Sequence, residues 1–258
     1  MKLIKLAEYG GDEFLICTLS CGALAFVLRM ADYRLALLPL IPWLIVVWFF
    51  RDPNRTGESN PEWLLSPADG TVSDIEEMDE IEFLGTRAVR IGIFLSPFNV
   101  HVNRAPGTGT VGHIKYKTGE FLPAYKPEAP YRNESVAMGI ELENGVRILV
   151  KQVTGLLARR IICESQPGDK LERGQRYGMI KFGSRTELYV PVRSMAENSV
   201  KIGDVVWGGH SVLCRIKAPP VDETPAKASE WNVSAPAQIP GDVAPVGSAV
   251  PQSDIGIN

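Results

Sequence analysis

SVAMGIELENGVRILVKQV (135–153) decides the fold class. Two runs rich in Val, Ile and Leu flank Glu143-Asn144-Gly145. Asn-Gly is the pair a tight hairpin turn favours, because its central residues need positive φ. The stretch therefore reads as two antiparallel strands. Outward from it lie RAVRIGIFL (87–95), GTVGHIKYK (109–117), GMIKFG (178–183) and TELYVPV (186–192), separated by Gly, Pro and Asn. Short β-rich runs at this spacing predict an antiparallel sandwich or barrel. No strong helical period interrupts 51–217, although 155–163 is open between a short helix and a strand. A domain of this size can bury its own core.

A weak internal repeat refines the expectation. SPADGTVSDIEE (66–77) and APGTGTVGHIKY (105–116) share a Pro, then Gly-Thr-Val, then an alternating run. VKIGDVVWGGHSVLCRI (200–216) has the Gly-Asp and Gly-Gly rhythm that resembles lipoyl-like barrel-sandwich hybrids. It lacks the modified lysine at a hairpin tip, which disfavours a carrier domain. The expected class is mainly β (α+β): an antiparallel β-sandwich of barrel-sandwich-hybrid type behind an N-terminal hydrophobic helical hairpin.

That hairpin rests on two uncharged apolar runs, 14–28 and 35–50. Each is shorter than the roughly 20 residues that comfortably span a bilayer. Pro39 and Pro42 interrupt the second, and RMADYR (29–34) joins the two. Asp12 and Glu13 abut the first run and a second run follows it, which argues against a cleaved signal peptide. A buried hairpin of a soluble core is the alternative to a membrane hairpin, whether two short spans or a re-entrant anchor. Trp43, Trp48, Phe49 and Phe50 suit a membrane interface. Arg residues flank both sides, so topology stays undecided. The expected organisation is an anchor at 1–50, a catalytic domain at 51–217 and a disordered Pro/Ala-rich tail at 218–258.

A net charge of −3 with no basic stripe signals no nucleic-acid partner. Cys17, Cys21, Cys163 and Cys214 have neither metal-ligand spacing nor the density of a disulfide framework. They read as reduced thiols, and no metal site is expected.

Three short segments carry chemistry. In GQRYGMIKFGSRTELYVP (174–191), Gly183-Ser184 is by itself a turn dipeptide. A hydroxyl that follows a glycine can, however, attack the preceding carbonyl, because glycine leaves the approach open and tolerates strain. An N-to-O acyl shift gives an ester. β-Elimination and hydrolysis then leave a pyruvoyl group at 184 and release ammonia. Such a ketone can condense with a substrate amine and act as an electron sink. In IGIFLSPFNVHVNRAP (91–106), His101 is either a structural strand histidine or a base for the elimination and a proton donor afterwards. Arg104 is close enough to complement a phosphate or carboxylate. In LLSPADGTV (64–72), Asp69 is either a turn aspartate or the group that orients His101 in an Asp-His-Ser set. His113 reads as a strand-face residue and His210 as a turn residue.

SPADG (66–70), SPFNVHVNRAP (96–106), GEFLPAYKPEAPYRNES (119–135), KFGSRTELYVP (181–191) and VKIGDVV (200–206) occur in order behind FFRDP (49–53). The series resembles the short-form phosphatidylserine decarboxylase proenzyme family over most of 35–217. The resemblance implies a self-processing, pyruvoyl-dependent enzyme that converts phosphatidylserine to phosphatidylethanolamine and CO2. It implies cleavage between Gly183 and Ser184, with Ser184 becoming the pyruvoyl group. Asp69 and His101 would act in processing, and His101 also in decarboxylation. The chains 1–183 and 184–258 would stay together as a heterodimer at the cell (inner) membrane, facing the cytoplasm, with higher oligomers possible. One departure stands out: Asn133-Glu134-Ser135 follows Arg132 where the family often has Asn-Glu-Arg, so no headgroup role is carried onto that segment. The Pro-rich stretch around Pro123, Pro127 and Pro130 is either a surface loop or a lipid-contacting lid. Two other readings stay open: a non-catalytic membrane-tethered β-sandwich adaptor, and a pyruvoyl decarboxylase of a related amino acid or archaeal-type lipid.

Overall fold

The computed structural model describes residues 5–156, 160–181 and 184–218. Of the expected tail, 219–258 lies outside the described residues. Helix α1 spans Gly11–Ala31 and α2 spans Leu40–Phe49. The strands are β1 (Trp63–Leu65), β2 (Gly70–Glu80), β3 (Thr86–Leu95), β4 (Val102–Arg104), β5 (Gly109–Lys117), β6 (Ser135–Leu142) and β7 (Arg147–Val153). They continue with β8 (Arg160–Cys163), β9 (Lys170–Leu171), β10 (Arg176–Lys181), β11 (Ser184–Pro191), β12 (Met195–Asn198), β13 (Val205–Val206) and β14 (Val212–Ile216). A short helix, α3 (Ala129–Arg132), precedes β6.

The strands form an antiparallel eight-stranded sheet in the order β13-β2-β3-β11-β7-β6-β5-β9. Two three-stranded sheets, β1-β14-β12 and β4-β10-β8, accompany it. The expected β class is borne out. The β6–β7 hairpin turns where Asn144-Gly145 predicts: Gly145 has φ +80 and donates its N–H to Leu142 at 2.9 Å. The end of the ambiguous 155–163 segment is strand β8, and 157–159 lies outside the described residues.

The internal repeat goes deeper than the Gly-Thr-Val match. Ser66 N–H donates to Ser211 O, Gly209 N–H to Ser66 O, Val72 N–H to Asp204 O and Gly203 N–H to Val72 O. The second half repeats this with Ala105 to Gln175, Gly174 to Ala105, Val111 to Asp169 and Gly168 to Val111. Leu65 N–H donates to Pro106 O and Arg104 N–H to Pro67 O, joining the halves reciprocally at 2.9 Å. Gly168 and Gly203 share φ near +97 and +95, a left-handed turn position that glycine fills without strain. This pseudo-twofold pairing is the barrel-sandwich arrangement.

β11 lies at the centre of the large sheet, and all eight of its residues are buried. One face joins the main core through Leu188 and Val190, with Ile91, Ile93, Ile140 and Ile148. The other carries buried Arg185 and Glu187. Arg185 bonds Glu187 and Asp74 at 2.7 Å each, and Tyr189 donates to Glu187 at 2.7 Å. A carboxylate with no exposure needs such partners, since an uncompensated buried charge would cost several kcal/mol.

The leader is a helical hairpin, as expected, with one correction. α1 runs for 21 residues and is long and apolar enough to cross a membrane, because the charged turns at both ends of the uncharged run are also helical. Asp12 and Glu13 sit in its first turn and Arg29 in its last, which suits the helix dipole. α2 is shorter, as Pro39 predicts. Trp43 Nε1 donates to Thr18 Oγ1 at 3.0 Å and the Phe14 and Trp43 rings lie 6.1 Å apart, joining the helices. No residue of α1 is buried. A helix in a soluble core would bury its apolar side chains; this one is compatible with membrane association.

Phe83 fills the space over Gly139, where a Cβ would come within 2.4 Å of the ring. The same ring stacks on His113 at 5.7 Å, so His113 is a strand-face residue as expected. Gly139→Val is expected to displace Phe83 and to lower stability by about 1–3 kcal/mol. Chemical denaturation of the full chain in detergent measures this, and a loss below about 0.5 kcal/mol would show that the cluster adapts freely.

Candidate active site

Ser184 is the first residue of β11 and pairs with Leu95 at the end of β3. It is wholly buried, and its Oγ has no hydrogen-bond partner among the described residues. Gly183, with Phe182, lies outside the described residues. The expected cleavage point is thus bracketed by Lys181 and Ser184.

Past Leu95 the chain makes a tight turn. Ser96 N–H and Oγ both donate to Asn99 Oδ1, at 2.8 and 2.7 Å. This turn delivers His101, which is wholly buried. Its Nδ1 lies 3.0 Å from Asn99 O and its ring lies 4.6 Å from that of Phe49. Burial pushes the imidazole down to about 4, and the Arg51 charge adds to this; the Asn99 carbonyl and Asp69 act in the opposite direction. At neutral pH the ring is therefore an uncharged base.

Two hydrogen bonds bring His101 toward Ser184. Ile180 N–H, four residues before Ser184, donates to His101 O at 3.3 Å. Asn103 Nδ2 donates to Thr186 Oγ1 at 3.1 Å. By the two-residue period of a strand, Ser184 shares a face of β11 with Thr186, and Asn103 lies two residues after His101. Gln152, opposite Thr186 in the register, extends the chain by donating to Asn103 Oδ1 at 2.9 Å and to Ile162 O at 3.1 Å. Its Oε1 is buried without a hydrogen-bond partner among the described residues.

Asp69, just before β2, is also buried. Its bonded partners are not the imidazole. Both terminal nitrogens of Arg55 grip the carboxylate, one of them at 2.7 Å, and Gly208 N–H donates to Oδ1 at 2.8 Å. Asp69 acts on His101 through space, favouring its charged form. Arg104 is spent elsewhere: it donates to Asp52 at 2.7 Å, to Pro53 O at 3.0 Å and to Gly174 O at 3.1 Å. It is buried in a clamp on the leader. His210 lies in the turn after β13, its Nδ1 2.7 Å from Thr56 O.

The Pro-rich segment is a pinned loop with α3 inside it. Asn133 accepts from Leu122 N–H and donates to Leu122 O and Thr154 O, at 2.8–2.9 Å. Lys151 donates to Pro130 O at 2.6 Å, and Arg90 to the Tyr131 hydroxyl at 3.0 Å.

The sequence reading missed Arg55, Asn103, Gln152, Thr186 and Phe49. Asn103 and Thr186 carried a usable signal, each two residues from a candidate on a strand. Arg55 carried none, since only the fold brings 55 to 69.

All four cysteines are free thiols; Cys214 is buried, whereas Cys17, Cys21 and Cys163 are partly exposed, less buried than expected. A profile of the Phosphatidylserine decarboxylase family matches residues 44–214. Three similar chains bear the name phosphatidylserine decarboxylase proenzyme. That from Carboxydothermus hydrogenoformans is 45% identical over 196 residues, 76% of this chain and 91% of its own. That from Symbiobacterium thermophilum is 44% identical over 173 residues, 67% and 80% of the two chains. That from Rhodopirellula baltica is 40% identical over 214 residues, 82% and 88%. With the buried serine, the uncharged histidine and the apolar leader in one order and one fold, the chain belongs to the phosphatidylserine decarboxylase family.

Proposed function

We propose that the chain cuts itself between Gly183 and Ser184, turns Ser184 into a pyruvoyl group, and uses that group on phosphatidylserine held in a membrane. As a family member it is a carboxy-lyase of phospholipid biosynthesis, made as a proenzyme, that yields phosphatidylethanolamine and CO2. The observation that carries the self-processing reading is the buried Ser184 Oγ, without a hydrogen-bond partner among the described residues, at the head of a fully buried strand.

In maturation, Ser184 Oγ adds to the Gly183 carbonyl carbon, the C–N bond breaks, and an ester with a free amine at 184 results. Loss of the α-proton and of the Gly183 carboxylate leaves dehydroalanine. Its imine tautomer takes up water and releases ammonia, leaving the keto acyl group. The site fits that group: the hydroxyl that disappears has no hydrogen bond to break among the described residues. His101, uncharged and dry, takes the hydroxyl proton. The Asp69–Arg55 pair holds the wall beside it and tempers the desolvation of the ring. The pyruvoyl carbonyl supplies the electron sink that decarboxylation needs. His101 then returns a proton to the substrate carbon. Asn103, Gln152 and Thr186 hold the two strands in register.

The products are a large chain, 1–183, and a small chain, 184–258, kept as a heterodimer by the ladders of β11 with β3 and β7. The apolar α1 seats the protein in the cell (inner) membrane, beside a substrate whose acyl chains keep it there. The free thiols suit a catalytic domain on the cytoplasmic side.

Mass spectrometry of the purified full chain is expected to show two fragments, the smaller beginning with a keto acyl residue at 184. An intact chain with an ordinary serine would overturn the reading. Ser184→Ala is expected to run as one band and to lose activity by roughly a thousandfold or more. Self-cleavage should hold from about pH 8 down to about pH 5 and fail as the pH approaches 4, where His101 gains its proton and stops acting as a base. A fall centred near 6.5 in gel time courses would mark an ordinary histidine. Asp69→Asn and Arg55→Gln are each expected to slow cleavage by roughly a hundredfold, because either change loosens the same wall. If Arg55→Gln cleaves at the normal rate, Asp69 acts without its arginine.

A further inference from the structure

The end of the leader is folded onto the site. Phe49 is the last residue of α2 and is buried. It packs with Ala7, Phe50, Val100, Val102 and Met179, from both ends of the leader and from β4 and β10. Its ring covers the His101 imidazole at 4.6 Å with planes 33° apart. Just beyond it the chain is fastened three times. Arg51 donates to Phe98 O at 2.7 Å, Ala7 N–H to Phe50 O at 2.7 Å, and Asp52 takes Arg104 at 2.7 Å and Arg176 more closely.

We propose that Phe49 is a positioning residue of the catalytic centre: it roofs the His101 imidazole and keeps water from it, so the centre is complete only with the leader docked. The inference rests on His101 being the base assigned above. Among the described residues, the charged and polar groups that face the imidazole are Arg51 from the leader, Asp69 (held by Arg55) from the segment before β2, and the Asn99 carbonyl from its own turn. Among the described residues, Phe49 supplies the aromatic ring that lies over the imidazole. Excluding water from the imidazole favours its uncharged form, since charging it there would mean burying a cation, a cost that outweighs the attraction of the ring face for a cation. The membrane-seated part of the chain thereby sets the protonation of a residue in the β domain.

The test reads the imidazole itself, in full-length Ser184→Ala protein in detergent micelles, by proton NMR of the histidine rings. His101→Gln identifies its signal among those of His113 and His210. The parent is expected to titrate well below the ordinary range. Phe49→Leu and Phe49→Ala are expected to raise the His101 midpoint by about one pH unit or more, as water reaches the ring. Phe49→Tyr, which keeps the ring, should leave it in place. Phe50→Leu removes an aromatic of the same cluster that lies edge-on to Phe49 at 5.1 Å, and serves as the packing control. If Phe49→Leu leaves the midpoint unmoved, or Phe50→Leu moves it equally, the proposal is overturned. Should Phe49→Ala fail to fold, the Leu variant decides alone. In the chain with Ser184 intact, the acid limb of self-cleavage should move up by the same amount in Phe49→Leu. Normal cleavage in His101→Ala would instead refute the role of His101 and leave the titration result standing.

Discussion

Everything at this site depends on β11 being dry. A strand with all eight residues buried, hydrogen-bonded on both sides, has almost no freedom to move and no water to exchange with. The stake is high, because Arg185 and Glu187 are buried with it and would destabilise the fold if left unpaired. Their mutual bonds, with Asp74 and Tyr189, satisfy the outer face. The inner face is then free to hold a serine hydroxyl with no hydrogen-bond partner among the described residues. Intramolecular attack by a weak nucleophile benefits from both properties: fixed geometry raises the effective concentration, and excluded water removes the competing acceptor.

The leader is tied to this frame by a second constraint. Asp52 is as buried as the core and carries two arginines, Arg104 from β4 and Arg176 from β10. Arg104 looked in sequence like a ligand for an anionic headgroup. In the structure it also straps the end of the leader to the β domain through Asp52 and Pro53. The same guanidinium reaches Gly174 in one of the paired turns of the pseudo-twofold, so anchor and repeat meet at one side chain. That repeat is asymmetric where it matters. Asp69 precedes Gly70 in one half and Thr108 precedes Gly109 in the other, so only one copy carries a carboxylate.

The parts of the fold legible in the sequence were those set by local physics. The Asn-Gly hairpin, the alternating strands, the apolar hairpin and the ordered motifs around Ser184 and His101 all depend on neighbours in the chain. What escaped depends on distant contacts. Arg55 finds Asp69, Asp52 finds two arginines, and Phe49 finds His101 only after the leader has folded back. The Gly-Asp step at 203–204 was read in the sequence, but its equivalence to Gly168-Asp169 shows only when each turn is seen making the same backbone bonds. The length of α1 was underestimated because charge was taken to end the helix. Asp12, Glu13 and Arg29 instead sit where the helix dipole favours them.

The position of Ser184 within the sheet has a consequence for how such a protein can be made. A break just before β11 leaves eight residue pairs with β3 and five with β7 in place. The strand is threaded between two neighbours rather than laid along an edge, so the small fragment cannot peel away without opening the sheet. The reverse also holds: once opened, two separate fragments would face a bimolecular search that the single chain never faced. Assembly information is spent during synthesis of the uncut chain. The mature form would be held together by a barrier rather than by a reversible equilibrium, and its lifetime would end with its first complete unfolding.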